Sequence, residues 1–83
     1  MLITLKLFAS LSDYLPPGSL DNRVDMEAGE SESVSDILKR FQLPERLVHL
    51  VLINGVYVAP CERPNRQLSA GDQLAVWPPI AGG

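Results

Sequence analysis

The order of elements in this chain predicts an α+β domain, a mixed sheet of four to five strands packed on one main helix with an extended C-terminal tail. Three observations predict it: two strand-like segments near the start, one amphipathic helix pattern in the middle, and an Asn-Gly hairpin followed by an apolar last strand. At 83 residues the chain suits one domain, burying about 60 to 65% of its unfolded surface.

Leu2 to Phe8 reads as the first strand, with Ile3, Leu5 and Leu7 on one face and Thr4, Lys6 and Phe8 on the other. Ser10 or Ser12 is a candidate cap for a short helical turn carrying Leu11, Tyr14 and Leu15, which Pro16-Pro17-Gly18 stops. After a moderately long, loose linker, Arg23-Val24-Asp25-Met26-Glu27 alternates polar and apolar residues, so it pairs antiparallel with the first strand. Ser31 or Ser33 then caps a helix bearing Val34, Ile37, Leu38 and Phe41 at i, i+3, i+4 and i+7, with Pro44 expected to end it. Glu45-Arg46-Leu47-Val48 suits a further single turn. Leu50 to Ile53 and Val56 to Val58 flank Asn54-Gly55, which calls for a type I′ hairpin, and Pro60 limits the second arm. Ala70-Gly71-Asp72 is a turn, and Gln73 to Trp77 is apolar enough to sit centrally in the sheet.

This order suits the β-grasp arrangement, in which a crossover through the helix lets strand 50–53 join the same sheet. Residues 50–53 are all apolar, so both sheet faces want cover there, and one helix covers only one. The leftover apolar residues, with Phe8, Tyr57 and Trp77, are therefore candidates for a partner-binding patch. The competing reading packs Phe8 and Trp77 on loops.

Composition narrows the function classes. A net charge of −3 with 46% hydrophobic residues lacks the basic excess of a nucleic-acid binder. The opening Met1-Leu2-Ile3-Thr4-Leu5-Lys6 has no charged leader pattern, and no apolar run approaches about 18 residues, so no membrane association and a cytoplasmic location are expected. The single cysteine, Cys61, excludes a disulfide framework and a four-cysteine cluster, and with it the ferredoxins.

The end of the chain carries the chemistry. Trp77-Pro78-Pro79-Ile80-Ala81-Gly82-Gly83 is a strand end, two prolines and a Gly-Gly pair. With Gly83 as the natural terminus, the reactive group is its main-chain carboxylate, anionic above a pKa of roughly 3.5 and so a poor electrophile until activated. Conversion by ATP to a mixed anhydride with AMP lets a sulfur or amine nucleophile displace the nucleotide, work that another enzyme supplies. Glycines thread a narrow channel, and the prolines hold the tail extended. Six residues beyond Trp77 reach roughly 20 Å. Residues 1–77 are thus expected to form the domain and 78–83 a flexible, extended tail. The plain alternative is a frayed end of small residues.

Other positions offer less. Cys61 lies in the Pro60–Pro64 loop, as either a transient persulfide partner or an incidental thiol; His49 has no second ligand nearby in sequence and reads as ordinary packing, so no metal is expected. Six carboxylates between Asp21 and Asp36, and the later Lys39, Arg40, Arg46, Arg63 and Arg66, read as solvated charge.

Leu7-Phe8-Ala9, Tyr14-Leu15-Pro16, Val34-Ser35-Asp36-Ile37-Leu38, Val51-Leu52-Ile53-Asn54-Gly55, Gly71-Asp72 and Trp77 through Gly83 together resemble the MoaD/ThiS family of ubiquitin-like sulfur carriers, across essentially the whole chain. An aromatic followed by Pro-Pro, a small apolar pair and Gly-Gly is closest to the molybdopterin-synthase small-subunit branch. The resemblance implies a non-enzymatic carrier that binds no cofactor itself. Its Gly83 carboxylate is adenylated with ATP by a MoeB- or ThiF-type adenylyltransferase, then converted to a thiocarboxylate with sulfur from a desulfurase- or rhodanese-type donor. The thiocarboxylate serves a MoaE-like large subunit in molybdenum or tungsten cofactor synthesis. Gly82 keeps the channel unobstructed, Pro78, Pro79, Ile80 and Ala81 guide the tail, and Phe8 and Trp77 match positions near the family's apolar docking surface. Tyr14-Leu15-Pro16 and His49-Leu50-Val51-Leu52 also resemble generic members that serve other sulfur transfers, including ThiS-like carriers. A ubiquitin-like modifier, joined through Gly83 to lysine, uses the same tail, and a plain interaction module with an incidental Gly-Gly is the third reading.

Overall fold

The computed structural model describes residues 1–79. Five strands are formed: β1 (Leu2–Leu7), β2 (Arg23–Glu27), β3 (Leu50–Ile53), β4 (Val56–Tyr57) and β5 (Gln73–Trp77). One α-helix, α1 (Val34–Arg40), follows β2, and 3₁₀ turns cover Ala9–Tyr14 and Glu45–Leu47. The strands hydrogen-bond in the order β2-β1-β5-β3-β4; β1 and β5 run parallel and every other pair is antiparallel. β5 is therefore the middle strand, as its apolar run requires.

The register decides the two faces. Ile3 pairs with Met26, Leu5 with Val24 and Leu74, Leu7 with Val76, and Val76 and Leu74 in turn with Val51 and Ile53. These residues, nearly all buried, make one continuous apolar surface, and Val34, Ile37 and Leu38 of α1 belong to the same core with Leu11, Val58 and Leu68. One helix thus closes one face.

Local chemistry sets the ends of α1. Ser33 is the N-cap: its side chain accepts from the Asp36 N–H at 3.2 Å, while Asp36 accepts from the Ser33 N–H at 3.0 Å, a reciprocal capping box. The helix stops before Pro44 is reached. Gln42 turns left-handed at φ 57°, and the N–H groups of Leu43 and Gln42 donate back to the carbonyls of Leu38 and Lys39. That is a Schellman ending, so Phe41 is the C-cap and packs half-buried against the core.

Other boundaries differ from the sequence reading. Neither Ser10 nor Ser12 caps the first 3₁₀ turn; Phe8 precedes it, and the Ser12 hydroxyl instead donates to the Ala9 carbonyl. The linker into β2 ends tightly rather than loosely, because Asp21 and Asn22 both take positive φ and reverse the chain between Leu20 and Arg23. The Asn54-Gly55 turn forms with φ of 51° and 83°, but its second arm is only Val56–Tyr57. Val58 continues past it, with its N–H still bonded to Val51.

Candidate interaction face and tail root

The face of the sheet opposite α1 is set by the same register. Trp77 pairs with Leu50, and Ala75 with Leu52 and Lys6; Leu52 pairs on with Tyr57. Residues opposite one another point to the same side, so Leu50, Leu52, Tyr57, Ala75 and Trp77 share this face, with Lys6 and Thr4 towards β2. Phe8 completes the patch. Its ring stacks on Trp77 with centroids 4.4 Å apart and planes 6° from parallel. Phe8, Leu50, Leu52 and Trp77 are half-buried, and Tyr57, on the short edge strand, is 54% exposed.

Phe8, Tyr57 and Trp77 thus lie on one face, with Phe8 and Trp77 in contact and Tyr57 two strands away from Trp77 on the edge. Leu50, Leu52 and Ala75 join them. The uniformly apolar run 50–53 marked this, since alternate residues must face away from the core. Ala75 carried no such mark, being too small to stand out.

The patch ends where the tail begins. β5 is held on both sides to its last residue, since the Phe8 N–H donates to the Val76 carbonyl at 3.1 Å and the His49 N–H to the Trp77 carbonyl at 3.0 Å. Pro78 and Pro79 follow, and having no N–H they continue no ladder. Ile80, Ala81, Gly82 and Gly83 lie outside the described residues.

The remaining candidates are scattered. Cys61 is an exposed free thiol, and the His49 side chain is exposed rather than packed. Among the described residues, no three His, Cys, Asp or Glu side chains converge as a metal site. Of the six carboxylates, Glu32 pairs with Arg40 at 2.9 Å and Asp36 serves the helix cap. Asp36 is held below its ordinary pKa first by the Ser33 backbone N–H and then by the Ser33 hydroxyl, which outweigh an opposing desolvation, with Lys39 adding the smallest contribution. Arg63 corrects the reading of solvated charge. It is 8% exposed, and its guanidinium donates to the carbonyls of Val58, Val48 and His49.

A five-stranded mixed sheet grasping one helix, with an apolar outer face beside the root of a C-terminal tail, defines a small ubiquitin-like β-grasp protein. The chain belongs to the ThiS family, whose model matches residues 5–83. That family, with the related MoaD proteins, comprises small ubiquitin-like carriers and modifiers. Crystalline SAMP1 from Haloferax volcanii is 26% identical with a TM-score of 0.68, the whole of each chain being covered. The Haloferax volcanii HVO 2177 protein is also 26% identical, with a TM-score of 0.77 over 100% of this chain and 87% of that one. A chain from the complex of subunits 1 and 2 of molybdopterin-converting factor from Helicobacter pylori shares the fold, with a TM-score of 0.61, 18% identity and full coverage of both. No curated protein sequence matches.

Proposed function

We propose that this protein is a sulfur carrier whose reacting group is the Gly83 carboxylate, acting as the small subunit of a molybdopterin synthase. The supporting observation is the apolar outer face of β3, β5 and Phe8, which ends at Trp77 where the Pro78-Pro79 tail leaves the sheet. A partner seated on Phe8, Tyr57, Trp77 and their neighbours receives the tail in its own active site, so that docking and delivery are one event. The domain is residues 1–77, and 78–83 is the delivery arm. A MoeB- or ThiF-type adenylyltransferase transfers AMP from ATP to the carboxylate, releasing pyrophosphate. A hydrosulfide equivalent, released from the persulfide of a desulfurase- or rhodanese-type donor by a thiol that is oxidised to a disulfide, then displaces AMP to leave the thiocarboxylate, which a MoaE-like subunit consumes. The carrier itself contributes no catalytic side chain; Gly82 leaves the channel unobstructed, and Pro78, Pro79, Ile80 and Ala81 guide the tail. Subunit 1 of the Helicobacter factor is captured with subunit 2, the kind of partner this reading requires.

Intact-mass measurement after incubation with ATP, an adenylyltransferase and a sulfur donor tests the chemistry. Replacement of one oxygen by sulfur is expected, and an unchanged mass with demonstrably active partners overturns the assignment. A chain extended by one residue beyond Gly83 should not be loaded.

A second reading is favoured by the likeness to SAMP1, named in a second Haloferax volcanii structure as small archaeal modifier protein 1. In that reading a lysine amine rather than sulfur displaces AMP, and Gly83 forms an isopeptide bond. Lysine adducts joined through Gly83, isolated from cells that lack pterin synthesis, would identify it; since Arg66 is the last basic residue, trypsin would leave residues 67–83 on the modified lysine.

A further inference from the structure

On the helix side of the sheet, opposite the Phe8–Trp77 face, a groove of about 340 Å³ runs between α1, the 43–48 connection and the 60–64 loop. Arg63 forms part of its wall although the residue is 8% exposed. Buried guanidinium groups are ordinarily matched by an anion, because carbonyl dipoles orient the charge without neutralising it. Among the described residues Arg63 has carbonyls alone: Nε donates to Val58 at 3.4 Å, Nη1 to Val48 at 3.5 Å and Nη2 to His49 at 3.1 Å. The ion pairs among the described residues involve Met1 with Glu27 and Arg40 with Glu32. With five donors on a guanidinium and three engaged, each terminal nitrogen keeps one N–H for a further acceptor. Lys39 lines the same groove, Glu45 is the one carboxylate there, and Leu38, Leu43 and Val48 supply apolar wall.

We propose that this groove docks an acidic segment of a partner protein, a carboxylate flanked by apolar side chains, with the carboxylate paired to Arg63 and Lys39. Charge complementarity selects the anion, since two cations face one carboxylate in the groove. The apolar wall selects a peptide over a free anion, because leucine-like neighbours gain burial that acetate cannot. A nucleic-acid strand suits it poorly, as Glu45 sits within it and the chain carries a net charge of −3. The groove and the Phe8–Trp77 face lie on opposite sides of the sheet, so both are open to occupants at once.

The test titrates the full isotope-labelled chain with acetyl-Leu-Glu-Leu-amide, its glutamine counterpart, and acetate, followed by NMR. The glutamate peptide is expected to shift the amides of Ser35, Leu38, Lys39 and Val48 and the Arg63 side-chain N–H. The glutamine peptide should bind about tenfold more weakly for want of the charged hydrogen bonds. Lys39→Gln should weaken the glutamate peptide about two- to fivefold, and Glu45→Gln should tighten it by about the same factor. Arg63→Lys keeps the charge without the fork and is expected to bind less well; if that variant unfolds, the opposed effects at Lys39 and Glu45 still decide. Equal binding of both peptides, acetate as tight as the glutamate peptide, or shifts confined to the Phe8–Trp77 face overturns the proposal.

Discussion

Gln42 holds a φ of 57° at the residue after the α1 C-cap, a position where a side chain costs about 1 to 2 kcal/mol and glycine none. Gln42→Gly should therefore raise stability by roughly 0.5 to 1 kcal/mol in chemical denaturation, even after the greater freedom of glycine in the unfolded chain is counted. Loss of stability on that change would mean that the Gln42 side chain contributes contacts outweighing its strain. At the other end of the helix, the lowered Asp36 pKa gives a pH dependence of known sign. A carboxyl depressed in the folded state adds stability above its unfolded value near 3.8, and that contribution is lost as pH falls through the folded pKa. Resolved by NMR, Asp36 should titrate below 3.8, and Ser33→Ala should move it upward by removing the hydroxyl while the backbone donor stays. An unmoved titration would remove the hydroxyl from the cause. The capping box was readable in sequence as Ser33 with an acid three residues on. Gln42 was not, since nothing in a glutamine announces a left-handed turn and Pro44 was the more obvious stop.

Strands β3 and β5 carry side chains with two different duties on alternate positions. Leu74 is fully buried towards the helix, and Leu52 is half-buried on the outer face. Leu74→Ala should cost about 2 to 5 kcal/mol in equilibrium unfolding through lost burial and the cavity left behind. Leu52→Ser should cost markedly less, while weakening capture of the chain by a MoaE-like partner measured by calorimetry. A Leu52→Ser protein that unfolds as readily as Leu74→Ala would show the outer face to be core rather than an interface. The apolar run 50–53 revealed that two faces needed cover, but the partners of each residue came only with the register. Leu50 beside Trp77, and Ala75 between Lys6 and Leu52, are long-range pairings with no local pattern. The Phe8–Trp77 stack is of the same kind, joining residues 69 positions apart because β1 and β5 lie side by side.

The whole molecule is closed by its two ends. β5, last in sequence, occupies the centre between β1 and β3, so the sheet has no continuous core until the C-terminal strand is in place. A fragment ending at Gly71 should accordingly fail to fold, giving collapsed amide dispersion in NMR, whereas a chain ending at Pro79 keeps all five strands and should unfold like the full protein. Native-like dispersion in the shorter fragment would contradict the central role given to β5. Sequence periodicity alone determined the strands, the helix, the Asn54-Gly55 turn and the apolar excess at 50–53, because these follow from spacing along a few residues. The residues Trp77 through Gly83 also raised the carboxylate chemistry proposed above, which spacing along the chain does not test. Only the tertiary structure decided that Leu50, Leu52 and Ala75 join Phe8, Tyr57 and Trp77 on one face, and that Arg63 is buried beside a groove instead of solvated. Both depend on which distant strands and loops become neighbours, and the free energy of that choice comes from burial summed over the whole domain rather than from any local preference.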